Sequence, residues 1–223
     1  MNELPAGPCA GKAEFDSCSD GGKTGKCVGG SCCTGCYYYD TGTPKCQVTP
    51  DKAKCGKDGG SCSTCKAFEF CDSAVGSCDT DPGANFKLIA KRAGIIDDPT
   101  KTWDTVGSAP PDPYLGLVWG TTSCSVLSLS KCTGSVSNDF TPDWSFDMGT
   151  FAASKLLGKH CIYVIDSDGP FACAPPFETI GECQIDFDKL SFRYGYEYVW
   201  SCPNVADAKN YVSFVRFELV HVP

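Results

Sequence analysis

Eighteen of the 223 residues are cysteine, and their placement constrains the fold more than any other feature. Twelve fall within residues 1–83 and six within 84–223, so each segment holds an even number. The first segment has only four aliphatic residues of the Val, Leu and Ile type (Leu4, Val28, Val48 and Val75) beside 14 glycines. So few apolar side chains cannot offset the entropy of ordering a chain of that length. This segment must be cross-linked or disordered. The second segment carries 27 Val, Leu or Ile residues and 20 of the 26 aromatics, enough for a core of its own. The polar string Asp79-Thr80-Asp81-Pro82-Gly83 reads as the junction, which predicts a cysteine-rich domain over 1–83 and a second domain over 84–223.

Two cross-links are chemically open to the first segment. Cys33-x2-Cys36 and Cys62-x2-Cys65 have a spacing that zinc ribbons use. Twelve cysteines would need three such sites, however, and the segment has no histidine, while Cys32 and Cys33 are adjacent. Disulfides are the expectation, and they require an oxidising compartment. The chain is therefore expected to be secreted or at the cell surface, extracellular or periplasmic. Met1-Asn2-Glu3-Leu4-Pro5 has neither a basic start nor an apolar stretch, so no signal peptide is read there, which points to a mature or shortened chain. With 19 Lys and Arg against 27 Asp and Glu, a net charge of −8 argues against a nucleic-acid partner.

The string Gly25–Cys36, followed by Lys54-Cys55-Gly56-Lys57-Asp58-Gly59-Gly60-Ser61-Cys62, resembles the Cys/Gly modules of secreted bacterial proteins and, loosely, EGF-type modules. The resemblance implies a small, loop-dominated, disulfide-stapled domain. Tyr37-Tyr38-Tyr39 directly follows Cys36. The three rings either cover a disulfide or form a contact patch for a partner.

From residue 86 onward, short apolar segments alternate with Pro, Gly, Asp and Ser clusters. Strands are predicted near 86–93, 113–119, 124–131, 143–149, 160–166, 180–187, 196–202 and 211–222. The last shows period-two alternation, with Ser213, Val215, Phe217 and Leu219 on one parity. The one helical candidate is 151–157. Eight such strands predict an all-β fold, an antiparallel sandwich or barrel.

Acidic residues gather in two loops of this segment. One loop carries Asp97, Asp98, Asp104 and Asp112; the other carries Asp166, Asp168 and Glu178. Carboxylates crowded at one end of a sandwich repel each other unless a cation neutralises them. Oxygen ligands on flexible loops are the donors that Ca²⁺ selects. In Asp166-x-Asp168, an extended backbone would point both side chains the same way, toward one ion.

Five short motifs occur in a fixed order: a first apolar strand leading to an Asp, Asp112-Pro113-Tyr114-Leu115, Thr141-Pro142-Asp143-Trp144-x-Phe146, Val164-Ile165-Asp166-Ser167-Asp168, and Glu178-Thr179-Ile180-Gly181. In that order they resemble a C2 domain, the calcium- and lipid-binding sandwich. The resemblance implies an eight-stranded C2-like β-sandwich, in the topological variant that begins one strand later, with Ca²⁺ as its cofactor. It implies metal ligands at Asp104, Asp112, Asp166, Asp168 and Glu178, although Glu178 stands where the family has Asp and Asp104 is spaced two residues further from Asp112 than usual. The family's basic lipid-binding strand is not evident. Phe171 and Phe177 flank Cys173 in the loop between the presumed ligands, so they are either candidate membrane contacts or rings folded back over a disulfide at Cys173.

The functional expectation is a non-catalytic, monomeric calcium-binding protein that docks on anionic phospholipid membranes. The alternative is an adhesion or protein-interaction molecule whose cysteine-rich module recognises a cell-surface partner, with calcium in a structural role. Catalysis is not expected. His160 and His221 are the only histidines, both lie on predicted strands, and Gly-x-Ser-x-Gly, Walker and His-Glu-x-x-His motifs do not occur.

Overall fold

The computed structural model describes residues 7–103, 109–120, 124, 129–167, 178–187, 196–202 and 210–223. By its internal contacts the chain divides into two units, one ending at Ala84 and the other spanning Asn85–Val222.

The first unit is a succession of short hairpins. β1 (Ser17–Asp20), β2 (Lys23–Val28) and β3 (Ser31–Cys33) form one antiparallel sheet. β4 (Cys36–Asp40) and β5 (Thr43–Gln47) form a second, with β6 (Gly60–Ser61) parallel to β4. β7 (Glu69–Asp72) and β8 (Ser77–Thr80) form a third hairpin. Two-residue turns join the early strands, and positive φ at both central positions explains Gly21-Gly22 and Gly29-Gly30. Thr41 takes the same conformation before Gly42 without glycine's freedom.

All twelve cysteines of this unit are in disulfides: Cys9–Cys27, Cys18–Cys32, Cys33–Cys46, Cys36–Cys62, Cys55–Cys71 and Cys65–Cys78. Zinc ligation is thereby excluded for these sulfurs, and neither Cys-x-x-Cys pair is bonded within itself. The bonds fall into three interleaved sets of four cysteines, each joining first to third and second to fourth. The second and third sets overlap, because Cys55 precedes Cys62 in the chain. The unit thus repeats one bonding pattern three times. Apart from cysteine, its buried hydrophobic side chains among the described residues are Val28 and Phe68. Sulfur is the core.

The second unit is all-β. Its strands are β9 (Asn85–Ile95), β10 (Pro113–Val118), β11 (Lys131–Cys132), β12 (Asp143–Ala152), β13 (Gly158–Asp166), β14 (Glu178–Phe187), β15 (Tyr196–Ser201) and β16 (Val212–Val222). One turn of helix, α1 (Ala153–Leu156), follows β12 and buries Leu156. The strands form two four-stranded antiparallel sheets, ordered β12-β9-β16-β15 and β11-β10-β13-β14. First, fourth, seventh and eighth strands of the unit form one sheet and the rest the other, the eight-stranded C2-like sandwich that was expected.

Phe86, Leu88 and Ala90 of β9 and Val215, Phe217 and Leu219 of β16 point inward and are fully buried. They share the core with Leu115, Leu117, Ile162, Ile180 and Ile185 of the other sheet. Alternation is interrupted where strands bulge. Val212 pairs with Ile95 and Phe214 with Gly94, which leaves Ser213 as an extra residue and turns Val212 into the core against the simple parity.

One strand differs from expectation. The third was predicted over 124–131, but the described strand is only Lys131–Cys132; residues 121–123 and 125–128 lie outside the described residues. Cys124 and Leu129 instead pack on the outer face of β10 and β13 against Tyr114, Val118, Cys161, Tyr163 and Ile165. The Cys124–Cys161 disulfide and a 2.6 Å hydrogen bond from the Tyr163 hydroxyl to the Cys124 carbonyl fix this cover. Cys183–Cys202 links β14 to the end of β15, and Cys132 is also disulfide-bonded. No free cysteine occurs among the described residues.

Candidate acidic site at one end of the sandwich

Sheet register places the site. Pro113 pairs with Asp166 across β10 and β13, and Asp166 pairs with Glu178 across β13 and β14. Asp112, Asp166 and Glu178 thus sit side by side at one end of three adjacent strands. The opposite end, where Gly158 pairs with Phe187, carries His160, Trp119, Phe151 and Trp200 among its ring contacts and is apolar.

Asp166 is buried, and its Oδ1 accepts a hydrogen bond from the Asp112 backbone N–H at 2.7 Å. The Ser167 N–H donates back to the Asp112 carbonyl at 3.1 Å. Asp112 Oδ1 in turn accepts the Asn138 N–H at 2.7 Å, tying in the segment between β11 and β12. That segment is held further by Asp139 N–H to Pro111 carbonyl and Val136 N–H to Pro113 carbonyl, each 3.0 Å. Backbone donors thereby fix both aspartates.

Glu178 is engaged differently. Its Oε1 accepts a hydrogen bond from Lys101 Nζ at 2.8 Å. Lys101 lies in the segment after β9, where Asp98 accepts the Thr100 N–H and hydroxyl and closes a turn that presents the lysine. These two contacts hold the Asp98 carboxyl below its usual range. The Lys101 ammonium lies 5.0 Å from the ring centre of Trp103, whose buried indole packs edge-on against Tyr211. The hydrogen bond to Glu178 raises the Lys101 pKa against the opposing effect of burial, and the charges of Glu178 and Asp166 add to the rise.

Of the residues proposed from sequence, Asp112, Asp166 and Glu178 meet at this end. Asp104, Asp168, Phe171 and Phe177 lie outside the described residues. Lys101 has no sequence signature, because a single lysine in a loop forms no pattern and its partner is 77 residues away. The donors are all carboxylate oxygens, which suits a hard cation in kind. Among the described residues, no three carboxylates bring one oxygen each within 4.8 Å of one another. The described part of the site is therefore a coupled aspartate pair plus a glutamate held by lysine, rather than a closed cage.

No protein-family model matches the chain, and no curated protein matches it in sequence. Solved structures are similar in fold. A C2 domain (domain A) of plant extended synaptotagmin 1 is 14% identical, covering 64% of this chain and 98% of that one, with a TM-score of 0.41. A structure described as a C2 domain is 15% identical over 61% of this chain and 98% of that one, at 0.38. The calcium-bound pair of C2 domains, A and B, of extended synaptotagmin 2 is 13% identical over 62% of this chain and 46% of that one, at 0.41.

Proposed function

We propose that the chain is an extracellular, non-catalytic binding protein whose C2-like sandwich takes Ca²⁺ at its acidic end and docks there on anionic phospholipid surfaces. The carrying observation is the Asp112–Asp166 pair, prearranged by backbone hydrogen bonds, with Glu178 in the next strand directly opposite Asp166. The fully disulfide-bonded first unit supports an oxidising location. Asp112, Asp166 and Glu178 would hold the ion together with Asp104 and Asp168. A bound calcium ion supplies positive charge and open coordination positions for phosphate oxygens. The chain's own part is to hold the aspartates in register and to offer Phe171 and Phe177 to the interface beside them.

Calcium affinity is expected on the order of 10⁻⁴–10⁻³ M, typical of extracellular modules. Millimolar Ca²⁺ should raise the melting temperature, because it binds the folded state preferentially. Asp166→Asn should abolish most of that increment, whatever it does to stability without calcium. Vesicles of phosphatidylserine and phosphatidylcholine should sediment the protein with Ca²⁺ and release it with chelator. A parent protein without any calcium-dependent change in melting temperature would overturn this reading.

One observation favours a second reading, recognition through the cysteine-rich unit. Tyr37 contacts both Phe15 and Tyr39, and Tyr39 is 60% exposed. Cell-surface binding that persists in chelator and is lost on Tyr39→Ala would support it.

A further inference from the structure

We infer that Lys101 is a tethered counter-cation that competes with calcium for the acidic end, so that ion binding requires its release from Glu178. This rests on the calcium reading above. Among the described residues, the other ion pairs of this unit lie along a sheet: Lys87–Asp147, Lys91–Glu218, Arg92–Asp143 and Arg216–Glu197 all join neighbouring strands. Lys101 instead reaches from a loop to a candidate metal ligand at the end of the other sheet.

The two cations cannot share Glu178 without cost. A calcium ion takes carboxylate oxygens at about 2.3–2.6 Å, and Lys101 Nζ already stands 2.8 Å from Oε1. An ammonium and a divalent ion on one carboxylate repel each other strongly at that range. Release is geometrically easy: the lysine stem is flexible and its side chain is 32% exposed, so the ammonium can swing into water. Without calcium, Lys101 offsets part of the negative charge at this end. With calcium, it is freed beside the ion, where it adds positive charge facing an anionic surface.

The test is calorimetric calcium titration of the full, oxidised chain as parent, Lys101→Met and Lys101→Arg. Lys101→Met should bind calcium about tenfold more tightly, the effect of removing one close repulsion in a water-like medium. Lys101→Arg, which keeps the charge, should stay near the parent. In chelator, Lys101→Met should melt at a lower temperature than the parent, and calcium should erase that difference. If the parent binds calcium and Lys101→Met binds it equally or more weakly, the competition is refuted while the calcium site stands. Binding by Lys101→Met alone supports the competition and places the failure in the calcium reading of the unaltered chain. Binding by neither overturns both.

Discussion

His160 lies in the core beside Trp119 and Phe187, with Nδ1 accepting the Gly120 N–H at 3.1 Å and Nε2 facing the Leu156 carbonyl at 2.7 Å. Those partners define a neutral ring with its proton on Nε2, since a proton on Nδ1 would confront a backbone donor. Burial is the main reason its pKa falls below the ordinary value; the Leu156 carbonyl opposes the shift only partly. A histidine held neutral by the fold takes up its proton in the unfolded chain first, near pH 6.5. Below that pH the unfolded state binds more protons than the folded one, so stability falls as pH drops toward the folded pKa. The stabilising contribution is complete above about pH 6.5. Two-dimensional NMR should show the His160 ring titrating with a midpoint below about 6.5; a midpoint at or above it would contradict the assigned tautomer and burial. The same kind of reasoning from partners marks Lys101, which the fold holds charged, as a residue with a role beyond solubility.

β14 and the start of β16 meet in a contact that depends on an absent side chain. A Cβ on Gly181 would lie 2.1 Å from Asn210 Oδ1 and 2.8 Å from Val212 Cγ2. Asn210 clamps the strands, its Nδ2 donating to the Glu182 carbonyl at 2.9 Å and its Oδ1 accepting the Val212 N–H at 3.1 Å. Gly181→Ala should therefore destabilise the sandwich by about 1–3 kcal/mol, the usual cost of overpacking, measured by denaturant unfolding under oxidising conditions. A loss below about 0.5 kcal/mol, as at ordinary surface positions, would show that the clamp yields. Strand positions were largely legible in the sequence, because inward and outward residues alternate through β9, β14 and β16. The bulge at Ser213 was not, since nothing local distinguishes it from regular strand. Nor was the double burial of β10: its outer face is covered by Cys124 and Leu129, with Cys124 bonded to Cys161 of β13. Disulfide partners were also illegible, as six cysteines permit 15 pairings before geometry chooses. That Asp112, Asp166 and Glu178 share one end of the sandwich was legible through the order of short motifs, whereas Lys101 was hidden by its distance in sequence from Glu178.

The two units hold themselves together by different physics, and that difference is measurable. The sandwich buries large apolar side chains from seven of its eight strands and would keep most of this stabilisation without its disulfides. The cysteine-rich unit has no such reserve. Val48 and Val75 are 67% and 60% exposed, which leaves Val28 and Phe68 as the buried hydrophobic side chains beside cysteine among its described residues. Its cross-links close loops of 13 to 26 residues; closing a loop of about 15 residues is worth roughly 3 kcal/mol in the chain-entropy description. Removing several such constraints leaves too little burial to offset the entropy of ordering the chain. Under reductant without denaturant, followed by alkylation and hydrogen exchange, amides of β1 to β8 should lose protection together. Those of β9 and β16, central in their sheet, should keep theirs. Collapse of protection in both units at the same reductant concentration would show that the sandwich, too, depends on its disulfides. Persistent protection in β1 to β8 after complete alkylation would mean that hairpin packing, rather than sulfur, carries the first unit.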